Sequence, residues 1–331
     1  MLMSRRPPPV PAPLVDLARS QAGLVSTSQC VSAGMTRQQV VERAGRKEWE
    51  RVTRGVYDTG VHDPEMNLWD RRRRRGALIG PLAFPGSIVT GTPALVLQGI
   101  EGTPQEISPE VTIADGSSRV GQGPVVVRRV PLTRFDVVDG VRVATVEDAL
   151  AQAVPRLGER HALAVMDSAL HHGLVDVAGL ARAHAAAAGH RGVARTHEWW
   201  GLADGRAESP AETWARRACL RLGIPPDVLQ LEVVSANGDV VARVDLAWLL
   251  PDGGVLLAEI DGRDEHSTPA ALLWDRTRQN LLASRRTIIR RYTGREAWTG
   301  ALATPIQRVL RSTGWRPRPV PDRVVLRLED L

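Results

Sequence analysis

The chain has 331 residues, 43% of them hydrophobic and 24% charged, a balance that excludes a wholly disordered protein and suggests two or three domains. Aromatic residues are scarce, with 9 Trp, 2 Tyr and 2 Phe, so the cores are expected to be built from Leu, Val and Ala. Its longest apolar runs, such as "ALAVM" and "VLLAEI", fall far short of the roughly 20 residues that span a bilayer.

The opening "MLMSRRPPPVPAPLVD" is rich in proline and has no apolar core segment, so it does not read as a signal peptide. Cys30 and Cys219 lie far apart without metal-ligand spacing and are expected to be buried thiols in a reducing, cytoplasmic setting. Lys47 is the one lysine among 43 basic residues. Residues 1–75 carry 14 basic and 8 acidic side chains, and the remaining 256 carry 29 of each, so the whole formal charge of +6 sits at the N-terminal end. An arginine-rich end on a neutral body suggests a polyanion, with nucleic acid favoured over membrane because no amphipathic anchor is visible. The blander account is that the five arginines 71–75 form a solvated helix face.

Residues 13–60 read as helices followed by a hairpin. "LVDLARSQAGLV" places Leu14, Val15, Leu17, Ala18 and Leu24 on a helical stripe. A second helix, "SQCVSAG", is capped within Ser26 to Ser28 and ends at Gly34. Thr36 then caps "RQQVVERAG", in which Val40 and Val41 supply the buried face and Arg37, Gln38, Gln39 and Arg43 fall elsewhere. "WERVTRGVYDTG" alternates like a hairpin around Arg54 and Gly55. Helices followed by a basic hairpin describe a winged helix-turn-helix, with one helix in the major groove and the wing on phosphate. Arg and Gln can read G and A edges in paired hydrogen bonds, so Thr36, Arg37, Gln38, Gln39, Arg43, Arg46, Lys47 and Arg54 are the candidate DNA-binding residues. The alternative is a small helical domain that mediates protein contacts. The stretch "SQCVSAGMTRQQVVERAGRKEWERVTRGVYDTG" resembles the N-terminal domain of the abortive-infection type IV antitoxin (AbiEi) family over about 45 residues. That resemblance implies a winged helix, DNA binding and autoregulation of an operon.

Residues 64–190 read as an α+β middle domain. A helix through "RRRRRGALIG" and another in "SIVTGTPALVLQGI", starting near Thr90 or Thr92, precede the strand-like runs "EVTIAD", "PVVVRRV" and "GVRVAT". The helices "VEDALAQAVPRL" and "ERHALAVMDSALHHGLV" follow. Asp167, His171 and His172 invite a metal reading, but adjacent histidines point to different helix faces and no third ligand has suitable spacing, so ordinary structural residues are favoured. The segment resembles the region after the winged helix in larger antitoxin-like proteins, which implies an interaction role. Residues 184–207 read as an Ala-rich helix and a connector.

Residues 208–315 carry the chemistry, and 316–331 are set apart as a tail. "SPAETWARRACLRLG" is a helix with Ser209 as cap, Pro210 in its first turn and Gly223 at its end. "DVLQLEVV", "DVVARVDLAWLL" and "GVLLAEIDG" read as strands, the last two joined by the turn "PDGG". "STPAALLWDRTRQNLLAS" is a helix, "RTIIRRY" a buried strand, and "EAWTGALATPIQRVL" a closing helix interrupted near Pro305. The chain is therefore expected to be a multidomain α/β protein whose last domain has αβββαβ order, a mixed sheet flanked by helices.

Glu259 and Asp261 share a strand face by period two. If the "PDGG" turn closed evenly, with Leu250 facing Val255, Asp245 would point away from Glu259. An odd loop instead puts Asp245 opposite Glu259 or Asp261 and gathers Leu246, Trp248 and Leu250 on the core side. The odd register is the one expected. Carboxylates converging on a hairpin suit a hard cation such as Mg²⁺ or Mn²⁺, which can activate water and offset phosphate charge. The structural alternative leaves Asp245 and Glu259 on an exposed face, paired with Arg243 and Arg263.

The run "ESPAETWAR…LGIPPDVLQ…GDVVARVDLAWLLPDGGVLLAEIDGRDEH…WDRTRQNLLAS…IIRRYT" resembles the PD-(D/E)XK nuclease superfamily, and more narrowly the branch related to very-short-patch repair endonucleases, over about 100 residues. The resemblance implies a restriction-endonuclease-like fold with Asp245 and Glu259 as metal ligands. Glu212 would support the site, with Glu208 as its rival, and Gln230 matches a position this branch fills with Gln. His266, Asp275 and Arg278 match the segments after Gly262. The departure is Asp261, which occupies the usual Lys position. Either Asp261 joins the metal, assisted by His266 or an arginine, or the domain has lost turnover. His266 alone equally suits a helix cap. Two functions follow: a metal-dependent DNA endonuclease or nickase aimed by the winged helix, or an antitoxin-like transcriptional regulator whose inactive nuclease fold serves as a binding platform and which pairs with a cognate toxin or other protein. No membrane partner is expected.

Overall fold

The computed structural model describes residues 8–113, 120–130, 132–261, 286–320 and 324–328. The chain is a mixed α/β protein of two compact units, Met1–Leu157 with Val175–Trp200, and Gly158–Leu174 with Gly201–Leu331. Among the described residues no helix is long and apolar enough to cross a membrane.

The first unit opens with α1 (Ala12–Ser20), β1 (Leu24–Ser26), α2 (Thr27–Ser32), α3 (Arg37–Gly45), β2 (Glu50–Thr53) and β3 (Val56–Asp58). The apolar stripe expected to run on through Leu24 stops at Ser20. Ala22 and Gly23 take φ of 55° and 92°, and a Cβ at Gly23 would lie 2.8 Å from Asp58 Oδ1 and 2.9 Å from the Val61 carbonyl. Leu24 therefore leaves the helix and pairs with Asp58, adding β1 to the hairpin in the order β1-β3-β2. Leu14, Ala18, Val25, Cys30, Val40 and Trp49 form the small core beneath.

The same unit continues with α4 (Leu68–Ala83), β4 (Ile88–Val89), α5 (Gly91–Leu97), β5 (Glu110–Thr112), β6 (Val126–Arg128), β7 (Phe135–Val138), β8 (Val141–Ala144) and α6 (Val146–Ala153), and later α8 (Val177–Ala186) and α9 (His197–Gly201). The strands form a second sheet, β6-β5-β4-β8-β7. Of these, β4 falls in a segment read as helix from sequence, and β7 in one with no element read there. Val138 faces Val141 across Asp139 and Gly140, both at positive φ (49° and 76°). Asp-Gly in a two-residue loop is among the strongest hairpin signals a sequence offers.

The second unit holds α7 (Glu159–His171), α10 (Pro210–Arg221), β9 (Val228–Val234), β10 (Val240–Leu249), β11 (Val255–Asp261), β12 (Thr287–Thr293), α11 (Gly294–Thr299), α12 (Ala303–Ser312) and β13 (Val325–Arg327). Its sheet runs β12-β11-β10-β9-β13, antiparallel through β9, β10 and β11, with β12 parallel to β11 and β13 parallel to β9. The segment set apart as 316–331 thus supplies an edge strand. The closing helix breaks at Gly300, with φ of 80°, rather than at Pro305, which α12 accepts in its first turn. The helix read over 267–284 lies outside the described residues.

Leu246, Trp248 and Leu250 pack with Ala215, Cys219 and Ile306 on one side of this sheet, and the odd register adds Ala258 and Leu256 to the same side. Leu231, Val244, Ala247 and Leu257 form the core of the other side. The paired residues Leu229 and Leu246 belong to the first core, whereas the next pair, Leu231 and Val244, belongs to the second. Between them sits Gln230 at φ of 52°, a left-handed residue inside a strand. Such a residue costs about 1–2 kcal/mol, and it coincides with the point where the two strands change layer.

Candidate functional site

Thr36 starts α3 through a capping box. Its Oγ1 accepts from the Gln39 amide at 3.2 Å, and its own amide donates to Gln39 Oε1 at 2.7 Å. Two of the residues read as DNA contacts are therefore engaged in starting the helix. Arg43 is 7% exposed. Its guanidinium donates to Glu48 Oε2 at 2.7 Å and to the Pro8 carbonyl, and lies 5.6 Å from the Trp49 ring. This arginine ties α3 to the hairpin and is not presented to a groove, because burial of the charge requires those partners.

The outer face of α3 is different. Arg37 and Gln38 are exposed, Gln38 donates to Glu42 at 2.9 Å, and Val41, expected in the core, is 62% exposed. Val40 alone fills the core from this pair. Past the helix, Arg46, Lys47 and Arg54 are exposed, and Lys47 turns the chain at φ of 61°. Arg37, Gln38 and Val41 are thus exposed side chains of α3, and Arg46, Lys47 and Arg54 are exposed cations on the segments that follow it.

The hairpin tip is held from two directions. The Gly55 carbonyl accepts from the Thr27 amide of α2 at 2.8 Å. The Arg54 carbonyl accepts from Gln122 Nε2 at 2.9 Å, while Thr53 Oγ1 donates to the Gln122 carbonyl at 3.3 Å. Of the arginines 71–75, three are engaged internally: Arg73 with Asp70, Arg74 with Asp139 and the Ser20 carbonyl, and Arg75 with Asp58. That leaves much of this run structural.

In the second unit, Leu249 pairs with Val255 across a five-residue loop, 250–254, and Leu246 pairs with Ala258. Extending this register sets Asp245 opposite Glu259. The backbone ladder stops there because Asp245 Oδ2 accepts from the Ile260 amide at 2.7 Å. Glu259, 6% exposed, accepts from Arg291 Nε at 2.8 Å across the parallel pair of β11 and β12. Glu212, 9% exposed, accepts from the Glu208 amide at 2.9 Å, Ser209 Oγ at 2.7 Å and Gln230 Nε2 at 2.7 Å. Glu208 pairs with Arg243 at 2.6 Å, so Arg243 serves that carboxylate. Asp261 ends β11 and is exposed. His266, Asp275 and Arg278 lie outside the described residues, as does Arg263.

A divalent ion needs carboxylate oxygens converging on one point. Among the described residues, no three His, Cys, Asp or Glu side chains are grouped to hold one, and Glu259 is directed at an arginine. Holding Mg²⁺ or Mn²⁺ here would require Glu259 to leave Arg291. The role of Arg291 was not legible in sequence, since it depends on which strand returns beside β11. Asp167 also finds no metal role. It is 1% exposed and accepts from Arg216 Nη2 and Thr213 Oγ1, each at 2.8 Å, and from the Asp204 amide at 2.7 Å. Burial pushes its carboxyl pKa up, with Arg216 opposing. His171 and His172 stack edge to face, their centroids 5.0 Å apart.

Over 138 residues, 41% of its length, the chain is 37% identical to uncharacterized proteins from two strains of Mycobacterium tuberculosis, and the match spans about half (49%) of those relatives. Residues 13–57, which hold α1 to α3 and the hairpin, match the family described as transcriptional regulator, AbiEi antitoxin. That 45-residue segment is thus similar to an antitoxin-type regulator domain.

Proposed function

We propose that the chain is an antitoxin-type transcriptional regulator that binds DNA through a winged helix-turn-helix at residues 13–60. The observation that carries this reading is the outward face of α3, where Arg37, Gln38 and Val41 stand exposed while Val40 and Arg43 hold the helix down. In a major groove, Arg37 and Gln38 supply the donors that read G and A edges, and Val41 suits a thymine methyl. Arg46, Lys47 and Arg54 provide phosphate contacts, which position the protein without reading sequence. The α+β middle domain, 64–190, supplies an interaction surface for a cognate toxin or other protein. The restriction-endonuclease-like domain, 208–315, serves as a platform in this reading.

The test is a footprint on the DNA upstream of the chain's own coding region. The full chain should protect a discrete site, and Arg37→Ala should lose that protection while remaining folded. Equal protection by the variant would remove α3 from recognition.

The second reading is metal-dependent phosphodiester hydrolysis by the second unit, inside the cell and on DNA. One observation favours it: the odd loop that sets Asp245 across from Glu259, with the left-handed Gln230 on the neighbouring strand. Strained residues cluster at functional sites. Cleavage of plasmid DNA in Mg²⁺ or Mn²⁺ that Asp245→Ala abolishes would establish it, and the absence of any cleavage by the unaltered chain would leave the regulator alone.

A further inference from the structure

The regulator-type similarity ends at residue 57, but the hairpin it contains is not held by those residues alone. Arg54 is the exposed tip residue, and its carbonyl is taken by Gln122 Nε2 at 2.9 Å. The same glutamine also approaches Thr53: its carbonyl accepts from Thr53 Oγ1 at 3.3 Å, and its Nε2 lies 3.5 Å from that hydroxyl. Next to it, Gly123 has φ of 59°, and a Cβ there would sit 2.7 Å from Thr53 Oγ1. Gln122 and Gly123 lead directly into β6, the edge strand of the second sheet. On the opposite side, the Thr27 amide holds the Gly55 carbonyl at 2.8 Å. Both carbonyls of the turn are thus fixed, one by the helical motif and one by the middle sheet.

The strands of this hairpin are only four and three residues long, and β2 is an edge strand of the three-stranded sheet, so the sheet alone does little to fix the tip. A wing that must place one guanidinium on a phosphate gains from being rigid before DNA arrives, because side chains and loops ordered on binding weaken it. We infer that Gln122 and Gly123 are positioning residues for DNA binding, and that the functional DNA-binding unit extends beyond the family segment to include the lead-in to β6. Gln122 acts through Arg54 and makes no contact with DNA itself. This inference rests on the reading that the chain binds DNA through its wing.

The experiment uses the full chain, a duplex carrying its own upstream region, and the variants Gln122→Ala, Arg54→Ala and the double variant. Loss of one hydrogen bond of this kind should weaken binding by about three- to tenfold. The double variant should bind no more weakly than Arg54→Ala, because a brace has nothing to position once the guanidinium is gone. Gly123→Ala, which pushes on Thr53, should weaken binding in the same direction. Hydrogen exchange of the amides at 53–56, measured without DNA, should speed up in Gln122→Ala. Unchanged affinity and exchange in Gln122→Ala, or losses that add fully in the double variant, would overturn the inference. An unaltered chain that binds no DNA, with exchange still faster in Gln122→Ala, would instead overturn the DNA-binding reading and leave only the brace.

Discussion

The outer face of α3 and the carboxylate edge of the second unit were both read from sequence as sites, and they are built in opposite ways. On α3, most side-chain partners are local, Thr36 with Gln39, Gln38 with Glu42 and Arg43 with Glu48, with the Pro8 carbonyl the more distant partner of Arg43. What remains exposed is Arg37, Gln38 and Val41 on α3, with Arg46, Lys47 and Arg54 exposed further along the chain. In the second unit, the partners come from distant segments. Asp245 meets Ile260, Glu259 meets Arg291, and Glu212 meets Gln230. Those carboxylates are largely satisfied within the fold. An open cationic face is ready for a polyanion, whereas a satisfied acidic edge has little left to offer a cation without rearranging. This difference is why the DNA-binding reading takes precedence over the hydrolytic one.

The comparison can be broken by stability measurements. The largest effect should come from the long-range pair inside the second unit. Arg216→Ala leaves the Asp167 carboxylate buried without its cation, and urea denaturation should show a loss of about 3–5 kcal/mol. The local cap is worth less. Thr36→Ala should cost about 1 kcal/mol, and it should weaken DNA binding less than Arg37→Ala does. Equal costs for the two variants would contradict the contrast between local and long-range construction.

The smallest effect is one of pH. In the first unit, His184 Nε2 lies 2.8 Å from His197 Nδ1, and its ring stacks on Trp200 at 5.0 Å. Burial, with His197 beside it, lowers the His184 pKa below its ordinary value of 6.5. A depressed pKa favours the neutral form in the folded state, so the stability is present above the unfolded pKa and is lost as pH falls below about 6.5. The melting temperature should therefore drop between neutral pH and mild acid, and His184→Gln should flatten that drop. A slope unchanged by the substitution would show that other groups govern it.

Much of this architecture was legible wherever the signals were local. The caps at Ser26, Thr36 and Ser209 start helices where the sequence places them. The odd loop after Leu249 brings Leu256 and Ala258 onto the face that Leu246, Trp248 and Leu250 share by period two. Part of what escaped depends on packing that composition and helical period do not carry, and part on partners far along the chain. Arg43 has the chemistry of a groove-reading residue, and the positions of Glu48, Trp49 and the Pro8 carbonyl turn it inward. Val41 was assigned to the core from helical period alone, although Val40 is enough to fill that small core. Arg291 and β13 depend on which strands become neighbours, and Gln122 on a contact between segments nearly seventy residues apart. The strand β7 was missed despite an Asp-Gly turn in plain view.

The central claim is that the exposed face of α3 reads DNA. The most direct test is the affinity of the full chain for a duplex carrying its own upstream region, measured over a range of salt concentrations beside Arg37→Ala and Lys47→Ala. Arg37→Ala should lose about 1–3 kcal/mol and relax the choice of sequence, while Lys47→Ala should weaken all duplexes alike and lower the salt slope by about 1. Affinity unaffected by either substitution, or an unaltered chain that binds no duplex, would contradict the account.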